Sequence, residues 1–427
     1  MNKSYNIRNI CAQVIFSVFV RKQKLKTAIL KWQHIVINRD KKLLYEITYG
    51  IMRKFSILEF YVNKILYKPL NKKVLIIFYL LIVGVYQLRF MRIPAYAVIS
   101  ETVNAVIGLK YAPFKKLVNA VLRNFKIKKN IFDKLINNND RQYLHPYWLL
   151  QLIKKYYPSQ WKKIILINNQ KAPIWIRINR LYTSLDNYLH ILKNNNIKVT
   201  ISNYVDNGIK IEDPCSVNTL PGFNDGWITV QDISSQKCVE LLEPKNYEHI
   251  LDVCAAPGIK TTYILEIAPK AHVVCIDINA KRIKLIKENL NRLNLHADII
   301  IGDACDVNNL GLKKQFDRIL LDLPCSATGI IRRHPDIKWI RKYADISNLV
   351  ILQYNILKSI WPLLKPDGIL AYITCSILPE ENEDQIRKFL FYHTNAVFMY
   401  DKTKSMQQIL PGDNDGDGFF YAYLTKK

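Results

Sequence analysis

The first third of the chain repeats apolar residues with the period of an α-helix. In four segments, apolar residues recur at positions i, i+3, i+4 and i+7, which is the spacing that places them on one helix face. These segments are residues 6–20, 39–66, 74–91 and 96–110, and Pro69, Pro94 and Pro113 punctuate this part of the chain. The longest apolar run, residues 74–86, is too short for a bilayer, which requires roughly 20 residues. The pattern therefore predicts an all-α N-terminal region with a buried apolar helix.

Between residues 141 and 240, the pattern of apolar residues is a mixture of helical and strand-like periodicity. Helical periodicity in residues 145–169 and 184–196 alternates with strand-like stretches that are rich in β-branched and aromatic residues. Those stretches are residues 172–180, 197–205 and 226–232. We interpret this part of the chain as a small α+β unit or an extended connector.

From residue 248 onward, short apolar runs alternate with helical segments. The runs have the length and composition of buried strands, and they read "HILDVCAAPG", "HVVCIDIN", "ADIIIGDA", "FDRILLDLPC" and "GILAYITCS". Strands that alternate with helices predict a parallel, doubly wound, Rossmann-like sheet. Ligands of such sheets bind at the carboxyl ends of the strands.

Charge is distributed unevenly along the 427 residues, whose formal net charge is +27. Residues 1–140 hold 26 Lys and Arg against 6 Asp and Glu, whereas the remaining 287 residues hold 36 against 29. A compositional bias of the genome would raise the positive charge evenly, so the asymmetry favours an N-terminal domain that contacts nucleic acid. Hydrophobic residues make up 49% of the chain, which excludes global disorder.

The eight cysteines form no CxxC pair, and no Cys/His cluster has the spacing of a zinc site. The N-terminus "MNKSYNIRNICAQVIF" lacks the pattern of a cleaved signal peptide. We therefore expect reduced thiols, a cytoplasmic and monomeric protein, and neither a metal nor a membrane partner.

Polar residues at the ends of successive predicted strands outline a cofactor site. "DVCAAPGIKT" leads from a strand through a tight loop into a helix, where backbone N–H groups can hold a polar ligand. Asp277, Asp303 and Asp322 follow at the ends of later strands, and an acid at the first of these positions can bind both ribose hydroxyls. The dinucleotide motif GxGxxG and the P-loop are both absent. A cofactor with one nucleoside and no pyrophosphate fits, and S-adenosylmethionine meets that description.

Four of these stretches carry a resemblance to a known family. "DVCAAPGIKT", "LLDLPCSATG", "RRHPDIKW" and "TCSILPEENEDQI" resemble the motifs of the RNA cytosine-5 methyltransferase family, also called the NOL1/NOP2/Sun family, and the likeness continues through "GFFYAYL". In the N-terminal part, "RIPAYAVISETVNAV" and "KKLVNAVLRNF" resemble the NusB-like RNA-binding domain. The combination implies a 16S rRNA substrate, free or in early small-subunit assembly.

The resemblance also implies a division of the chain into domains. Residues 1–140 would form a NusB-like helical RNA-binding domain, and residues 141–240 an α+β connector or RNA-binding subdomain. Residues 241–427 would form the α/β Rossmann-like methyltransferase domain that binds S-adenosylmethionine.

Methylation of cytosine C5 needs a thiolate to add at C6, a partner for N3 and a base that removes the C5 proton. The sequence offers Cys375, Asp322 and Cys325 for this chemistry. The resemblance makes Cys375 the nucleophile and places Asp322 in contact with the cytosine base. It associates Cys325 with product release, where Cys325 would act as the proton acceptor. It implies a cofactor site of Cys254, Ala255, Ala256, Pro257, Gly258, Ile259, Lys260, Asp277, Asp303 and Asp322. It implies RNA contacts from Arg332, Arg333, His334, Lys338 and Trp339.

The sequence departs from the family pattern at two positions. Ile259 replaces a glycine of the cofactor loop, and a left-handed backbone there would strain a β-branched residue. Leu323 replaces a small residue, where it could narrow the base pocket. Lys260 has two further readings, as an RNA contact or as a solvated residue of the first helical turn.

One acidic run has a structural interpretation. Glu380, Glu381, Glu383 and Asp384 look like acids at a helix N-terminus, where the helix dipole favours negative charge.

Two alternatives remain open at the level of the sequence. The first is a tRNA cytosine-5 methyltransferase, against which the NusB-like domain argues. The second is a noncatalytic RNA-binding or ribosome assembly factor that retains a methyltransferase fold without its activity. Loss of Asp277, Asp322 or Cys375 would favour the second alternative, and all three residues are present.

Overall fold

The computed structural model describes residues 5–136, 140–213, 215–312, 315–400 and 405–427. The chain forms two compact units. The first comprises Met1–Gln170 with Ile331–Tyr343, and the second comprises Lys171–Ile330 with Ala344–Lys427.

Helices dominate the first unit, and strands alternate with helices in the second. The described helices are α1 Ile7–Phe19, α2 Leu25–Leu30, α3 Asn38–Ile65, α4 Leu75–Phe90, α5 Ala95–Gly108, α6 Lys115–Ile136, α7 Tyr147–Tyr156, α8 Trp161–Asn168, α9 Leu185–Asn194, α10 Ile233–Glu240, α11 Ile259–Ile267, α12 Ala280–Arg292, α13 Ile337–Ile340, α14 Tyr343–Ile360 and α15 Glu383–Tyr392. The described strands are β1 Ile174–Ile178, β2 Val199–Ile201, β3 Gly208–Ile211, β4 Ile228–Val230, β5 His249–Val253, β6 His272–Asp277, β7 Asp298–Ile301, β8 Phe316–Asp322, β9 Leu364–Thr374, β10 Ala396–Phe398, β11 Met406–Ile409 and β12 Phe419–Lys426.

The apolar helix α4 is central to the first unit and packs against α1, α3, α5 and α6. Together with the turn that precedes it, Lys72–Phe90, it is the one helix in the described ranges that is long and apolar enough to cross a membrane. Of the 18-residue apolar stretch in this segment, 56% is buried inside the protein, and Leu80, Ile82 and Val85 lie in the core of the helical unit. The prediction of a buried apolar helix is therefore confirmed.

Residues 331–343 belong with the helical unit, although they come from the C-terminal half of the sequence. Trp339 packs against Phe19 and Phe55, with ring centroids 6.1 and 5.2 Å apart. Its indole N–H donates a hydrogen bond of 2.7 Å to the carbonyl oxygen of Met52. An aromatic anchor with a satisfied N–H is typical of a side chain that fixes a segment in a core.

The second unit begins with a four-stranded antiparallel sheet of order β2-β3-β1-β4. Ile176 of β1 lies opposite Ile209 of β3 and Val230 of β4. Helix α9 covers this sheet with Tyr188 and Leu192, because its apolar residues recur four positions apart. The small α+β unit predicted from the sequence is therefore confirmed.

The larger sheet has the order β10-β12-β9-β8-β5-β6-β7, and β11 pairs with β12 outside this path. The five strands predicted from the sequence, β5 to β9, are mutually parallel, as expected. The sheet is mixed rather than wholly parallel, because β12 runs antiparallel to β9, β10 and β11. Residues 419–424 of β12 are buried throughout, so an apolar strand covers the edge of β9 that would otherwise be unpaired.

A buried ion pair joins the small sheet of the second unit to helix α11. Arg177 on β1 donates hydrogen bonds of 2.6 and 2.9 Å to the two carboxylate oxygens of Glu266 on α11. The two side chains are 0% and 3% exposed. The guanidinium also donates to Gln231 and Thr262. The pair therefore connects β1 to the helix that follows the predicted cofactor loop.

Candidate active site

The two cysteine-serine stretches meet at the carboxyl ends of two neighbouring parallel strands. Asp322, the last residue of β8, lies opposite Ile373 of β9, and the chain continues from each strand to its cysteine. The Sγ atoms of Cys325 and Cys375 lie 3.3 Å apart. The backbone N–H of Gly329 donates to the carbonyl oxygen of Cys375 at 2.9 Å, which holds the two loops against each other.

The surroundings of the two thiols differ. Cys325 is 7% exposed, whereas Cys375 is half-buried and so more accessible to a substrate. The hydrogen bond with Cys375 raises the pKa of the Cys325 thiol well above its ordinary value, and burial and the nearby carboxylate of Glu381 add to this. Cys325 is therefore a protonated thiol at neutral pH.

Asp322 and Lys260 form an ion pair beside the thiols. The Lys260 ammonium donates to the Asp322 carboxylate, whose side chain is 30% exposed. Burial is the largest single influence and would lower the pKa of Lys260, but the charge and hydrogen bond of Asp322, together with Cys238 and Asp252, outweigh burial and the pKa is raised. Lys260 is therefore a buried cation that orients Asp322, and neither a solvated helix residue nor an exposed phosphate contact.

A buried carboxylate joins the two cysteine-bearing loops. Glu381 is 0% exposed and lies in the 3₁₀ turn Pro379–Glu381, one turn before α15. It accepts hydrogen bonds from Ser326 and Ser376, which directly follow the two cysteines. Glu380 and Glu381 lie in the first turn of this 3₁₀ helix, as the predicted run of helix-terminal acids requires, but Glu381 also has a buried role that the prediction did not include. Glu383 and Asp384 do lie in the first turn of α15, as that prediction requires.

The predicted cofactor loop joins β5 to α11 with two residues in the left-handed region. Cys254 has φ 61°, a conformation that few residues other than glycine adopt, and Gly258 has φ 89°. A Cβ atom at Gly258 would meet Ile286 at 3.1 Å, so only glycine fits there. Ile259 follows as the first residue of α11 and is not among the positive-φ residues. The departure at this position therefore introduces no backbone strain.

Carboxyl groups give the loop an environment that suits a cationic ligand. Asp252 is fully buried, its Oδ2 accepts from Thr261 at 2.6 Å, and its Oδ1 has no partner. Burial raises the pKa of Asp252 to about 7, and the charges of Asp322 and Asp277 contribute. Burial and the same three acids raise the pKa of the Cys254 thiol to about 12, so this thiol does not react. A sulfonium or ammonium group would find complementary charge here.

The remaining predicted cofactor residues line the same strand ends. Asp277 is buried, and its carboxylate accepts from the backbone N–H groups of Ala256 and Asn279 at 3.1 and 2.9 Å. Ala255 and Ala256 are buried, whereas Pro257 and Asp303 are exposed. These positions form one continuous rim from β5 to β7.

The second departure from the family pattern has a structural explanation. Leu323 is buried in the core cluster between the sheet and α14, together with Leu321 and Leu357. Its backbone N–H donates to the carbonyl oxygen of Ile373 at 3.0 Å. The side chain therefore packs into the core, where it does not reduce the space beside Asp322.

Three of the predicted RNA-binding residues lie inside the helical unit. Lys338 is 1% exposed, and its ammonium donates to the carbonyl oxygens of Arg53 and Leu144 and to Asn169 at 2.8–3.0 Å. Burial lowers its pKa well below the ordinary value. Arg332 is also buried and Trp339 lies against the core, so these side chains hold residues 331–343 in place. Arg333 is half-buried and His334 is exposed.

Sequence reasoning missed the connections between the catalytic candidates. Nothing in the pattern distinguishes Glu381 from the neighbouring acids, and nothing pairs Lys260 with Asp322. The one available signal for Glu381 was the repeated Cys-Ser dipeptide, since two serines that meet in a buried site need a shared acceptor. In the described ranges, no group of three His, Cys, Asp or Glu side chains has the arrangement of a metal site.

Three family models match successive parts of the chain. The model of the 16S rRNA methyltransferase RsmB/F matches residues 239–425. The RsmF/B-like ferredoxin-like domain matches residues 145–218, and the NusB family matches residues 5–126.

Relatives match the chain over its whole length. Ribosomal RNA small subunit methyltransferase B of Photorhabdus laumondii is 50% identical and that of Proteus mirabilis is 49% identical, each over 100% of both chains. The crystal structure of PH0851 covers 99% of both chains with a TM-score of 0.83 at 24% identity, which shows the fold alone.

Proposed function

Since the chain belongs to the 16S rRNA methyltransferase RsmB/F family, we propose that it methylates C5 of a cytosine in 16S rRNA. The observation that carries the choice of C5 is the pair of thiols 3.3 Å apart beside Asp322. Transfer to a nitrogen or an oxygen needs no thiol, because those atoms carry reactive lone pairs. C5 of cytosine becomes nucleophilic only after a nucleophile has added at C6.

Cys375 is the attacking group, since it is the more accessible of the two thiols. Its thiolate forms a bond to C6, and the electron pair of the C5–C6 double bond moves towards N3, which takes up a proton from water and returns it to water when the ring is restored. Asp322, oriented by Lys260, contacts N3 and the exocyclic amine. C5, made nucleophilic by this addition, would then receive the methyl group that the cofactor supplies when it is bound.

Cys325 assists the release of the product. When the Cys375 sulfur becomes a thioether, its hydrogen bond with Cys325, which is the main cause of the raised Cys325 pKa, is weakened and the Cys375 charge is lost. Cys325 can then give its proton to water and accept the proton from C5. The electron pair of the C5–H bond restores the double bond, and the C6–sulfur bond breaks to return the Cys375 thiolate.

The residues of the β5–α11 loop would hold S-adenosylmethionine, whose sulfonium supplies an electrophilic methyl group when it is bound. The loop from Cys254 to Lys260 would face the methionine part, and Asp277 the ribose hydroxyls. Asp303 would face the adenine. The unpartnered Oδ1 of Asp252 and the surrounding carboxyl groups support a cationic ligand at this position.

We assign the three parts of the chain separate tasks in this reaction. Residues 1–140, with a net charge of +20, would position RNA through its phosphates, and residues 141–240 would connect them to the catalytic residues 241–427. We propose RNA contact for Arg333 and His334. We do not propose it for Arg332, Lys338 and Trp339, because Arg332 and Lys338 are buried and Trp339 packs against the core of the helical unit. The target cytosine must leave any stack to reach the thiols.

The trapped reaction intermediate tests the proposal. We expect Cys325→Ala to accumulate a covalent protein–RNA complex that survives a denaturing gel, because C5 keeps its proton and the C6–sulfur bond persists. Cys375→Ala should neither methylate RNA nor form the complex, and the double variant should behave like Cys375→Ala.

The matched control is Cys215→Ala, which changes a half-buried cysteine of the small sheet. It should methylate normally and form no stable complex. Normal methylation by Cys375→Ala would contradict the assignment of the nucleophile. Methylation of tRNA transcripts in preference to 16S rRNA would favour the tRNA alternative, and no transfer to either would favour the noncatalytic one.

A further inference from the structure

Glu381 is the acceptor at the centre of a buried hydrogen-bond network between the two cysteine-bearing loops. Its Oε1 accepts from the backbone N–H of Ser326 at 2.7 Å and from the side-chain amide of Gln353 at 3.0 Å. Its Oε2 accepts from the hydroxyl groups of Ser326, at 2.5 Å, and of Ser376. Four donors match the four acceptor positions of an ionised carboxylate, which has no hydrogen to donate.

The hydroxyl groups leave little freedom in this arrangement. Each serine has one O–H donor, and both are directed to Glu381, so the serine oxygens act as acceptors for their other neighbours. Thr328 lies 3.1 Å from each serine oxygen, and the backbone N–H of Leu378 donates to Ser376 at 3.0 Å. Both serine hydrogens are therefore donated to Glu381, and the single Thr328 hydrogen can be donated to only one of the two serine oxygens. A neutral amide at position 381 would interrupt this arrangement.

Further contacts fix the position of Glu381 itself. Its carbonyl oxygen accepts from the Tyr372 hydroxyl of β9 at 2.6 Å. The next residue, Asn382, accepts from Thr374 at 2.5 Å and donates to the carbonyl oxygen of Ser376 at 2.9 Å. The carboxylate is thereby anchored to the strand that ends at Cys375.

We propose that Glu381 is a positioning residue for methyl transfer, because it holds Ser326 and Ser376 on one carboxylate and so fixes the separation of Cys325 and Cys375. This inference rests on the proposed function for its effect on catalysis, although its effect on the thiols is independent of that function. It explains why a serine follows each cysteine. No atom of Glu381 reaches the substrate, since the side chain is fully buried.

The first experiment measures how readily the two thiols meet. The oxidant diamide removes two electrons and two protons from a thiol pair and leaves a disulfide, and peptide mass mapping reports the Cys325–Cys375 link. We expect the rate of this link to fall tenfold or more in Glu381→Gln, because the amide loses two acceptor positions and adds two donors. The matched control, Glu383→Gln, changes an acid on the same segment that is 40% exposed and paired with Arg387. It should keep the wild-type rate.

The second experiment separates positioning from binding in the methylation of 16S rRNA. Glu381→Gln should lower kcat tenfold or more and leave KM for RNA within threefold, because the carboxylate touches the loops and not the substrate. Ser326→Ala and Ser376→Ala should each give a smaller loss. Either serine change combined with Glu381→Gln should cost no more than Glu381→Gln alone, as members of one network do.

Each outcome decides the proposal. Wild-type linking and wild-type kcat in Glu381→Gln would overturn it, as would an equal loss in Glu383→Gln. If Glu381→Gln does not fold, Ser326→Ala and Ser376→Ala test the proposal instead. A wild-type rate of the Cys325–Cys375 link and a wild-type kcat in both serine variants would then overturn the proposal. A slowed link in an enzyme that transfers no methyl to RNA would leave the network established and remove the proposed function instead.

Discussion

The two cysteines of the site differ through their neighbours and not through their own sequence context. Each follows a strand and precedes a serine, yet Cys325 is buried beside a carboxylate while Cys375 is half-buried. Sequence motifs predicted both residues and Asp322, because a reacting group at a strand end leaves a local pattern. Apart from the repeated Cys-Ser dipeptide, the pattern did not indicate the role of Glu381 or the Lys260–Asp322 pair, since these depend on side chains 55 and 62 residues away.

The raised pKa of Asp252 leads to a second prediction at the scale of single residues. Its pKa in the folded protein is about 7 against an ordinary 3.8, so between pH 4 and 7 the folded state keeps a proton that the unfolded state has lost. Its contribution to stability is therefore present at low pH and is lost as the pH rises to 7, by about 1.4 kcal/mol per pH unit.

Asp252→Asn should remove this dependence, because an amide mimics the protonated acid. The free energy of unfolding, measured with urea from pH 4.5 to 8, should increasingly favour the variant up to pH 7 and then remain at a constant difference. Parallel curves for the two proteins would contradict the raised pKa.

At the scale of elements, the sequence predicted all five parallel strands of the large sheet, of which β5, β6, β8 and β9 are mostly buried and the edge strand β7 is partly exposed. β5 to β9 were recognisable because parallel strands between helices are continuous apolar runs. The antiparallel strands escaped the prediction of a parallel sheet, because direction depends on how the chain returns and leaves no periodic signal. The same limit applies to Arg177, whose charge lies in an otherwise apolar strand and is neutralised by a residue of α11.

The Arg177–Glu266 pair predicts a specific pattern of stabilities. Arg177→Met should lower the free energy of unfolding by about 3–5 kcal/mol, because it leaves Glu266 buried without its cation. Arg177→Met combined with Glu266→Met should recover most of this loss, since the double variant has no buried charge. Thermal and urea unfolding of the three proteins measure the effect. A double variant less stable than Arg177→Met would contradict this account of the pair.

At the scale of the whole molecule, the order of residues along the chain and their grouping in space differ. Residues 331–343 lie between two catalytic elements in the sequence, and their Arg, His, Lys and Trp residues resemble an RNA-binding surface. In the fold they belong with the helical unit, where Lys338 and Trp339 are held by backbone carbonyl groups. Composition alone cannot separate these roles, because the sequence does not show whether a lysine is buried or exposed to bind phosphate. The excess charge of residues 1–140, in contrast, is a property of the sequence that needs no structure.

The central claim is that methylation occurs at C5 through a thiol adduct, and the fate of the C5 hydrogen tests it most directly. A 16S rRNA transcript labelled with tritium at C5 of its cytosines is incubated with the protein and S-adenosylmethionine. The account predicts that one tritium enters the water for every methyl group transferred, and that Cys375→Ala releases none. Methyl transfer to the transcript without loss of tritium would contradict it.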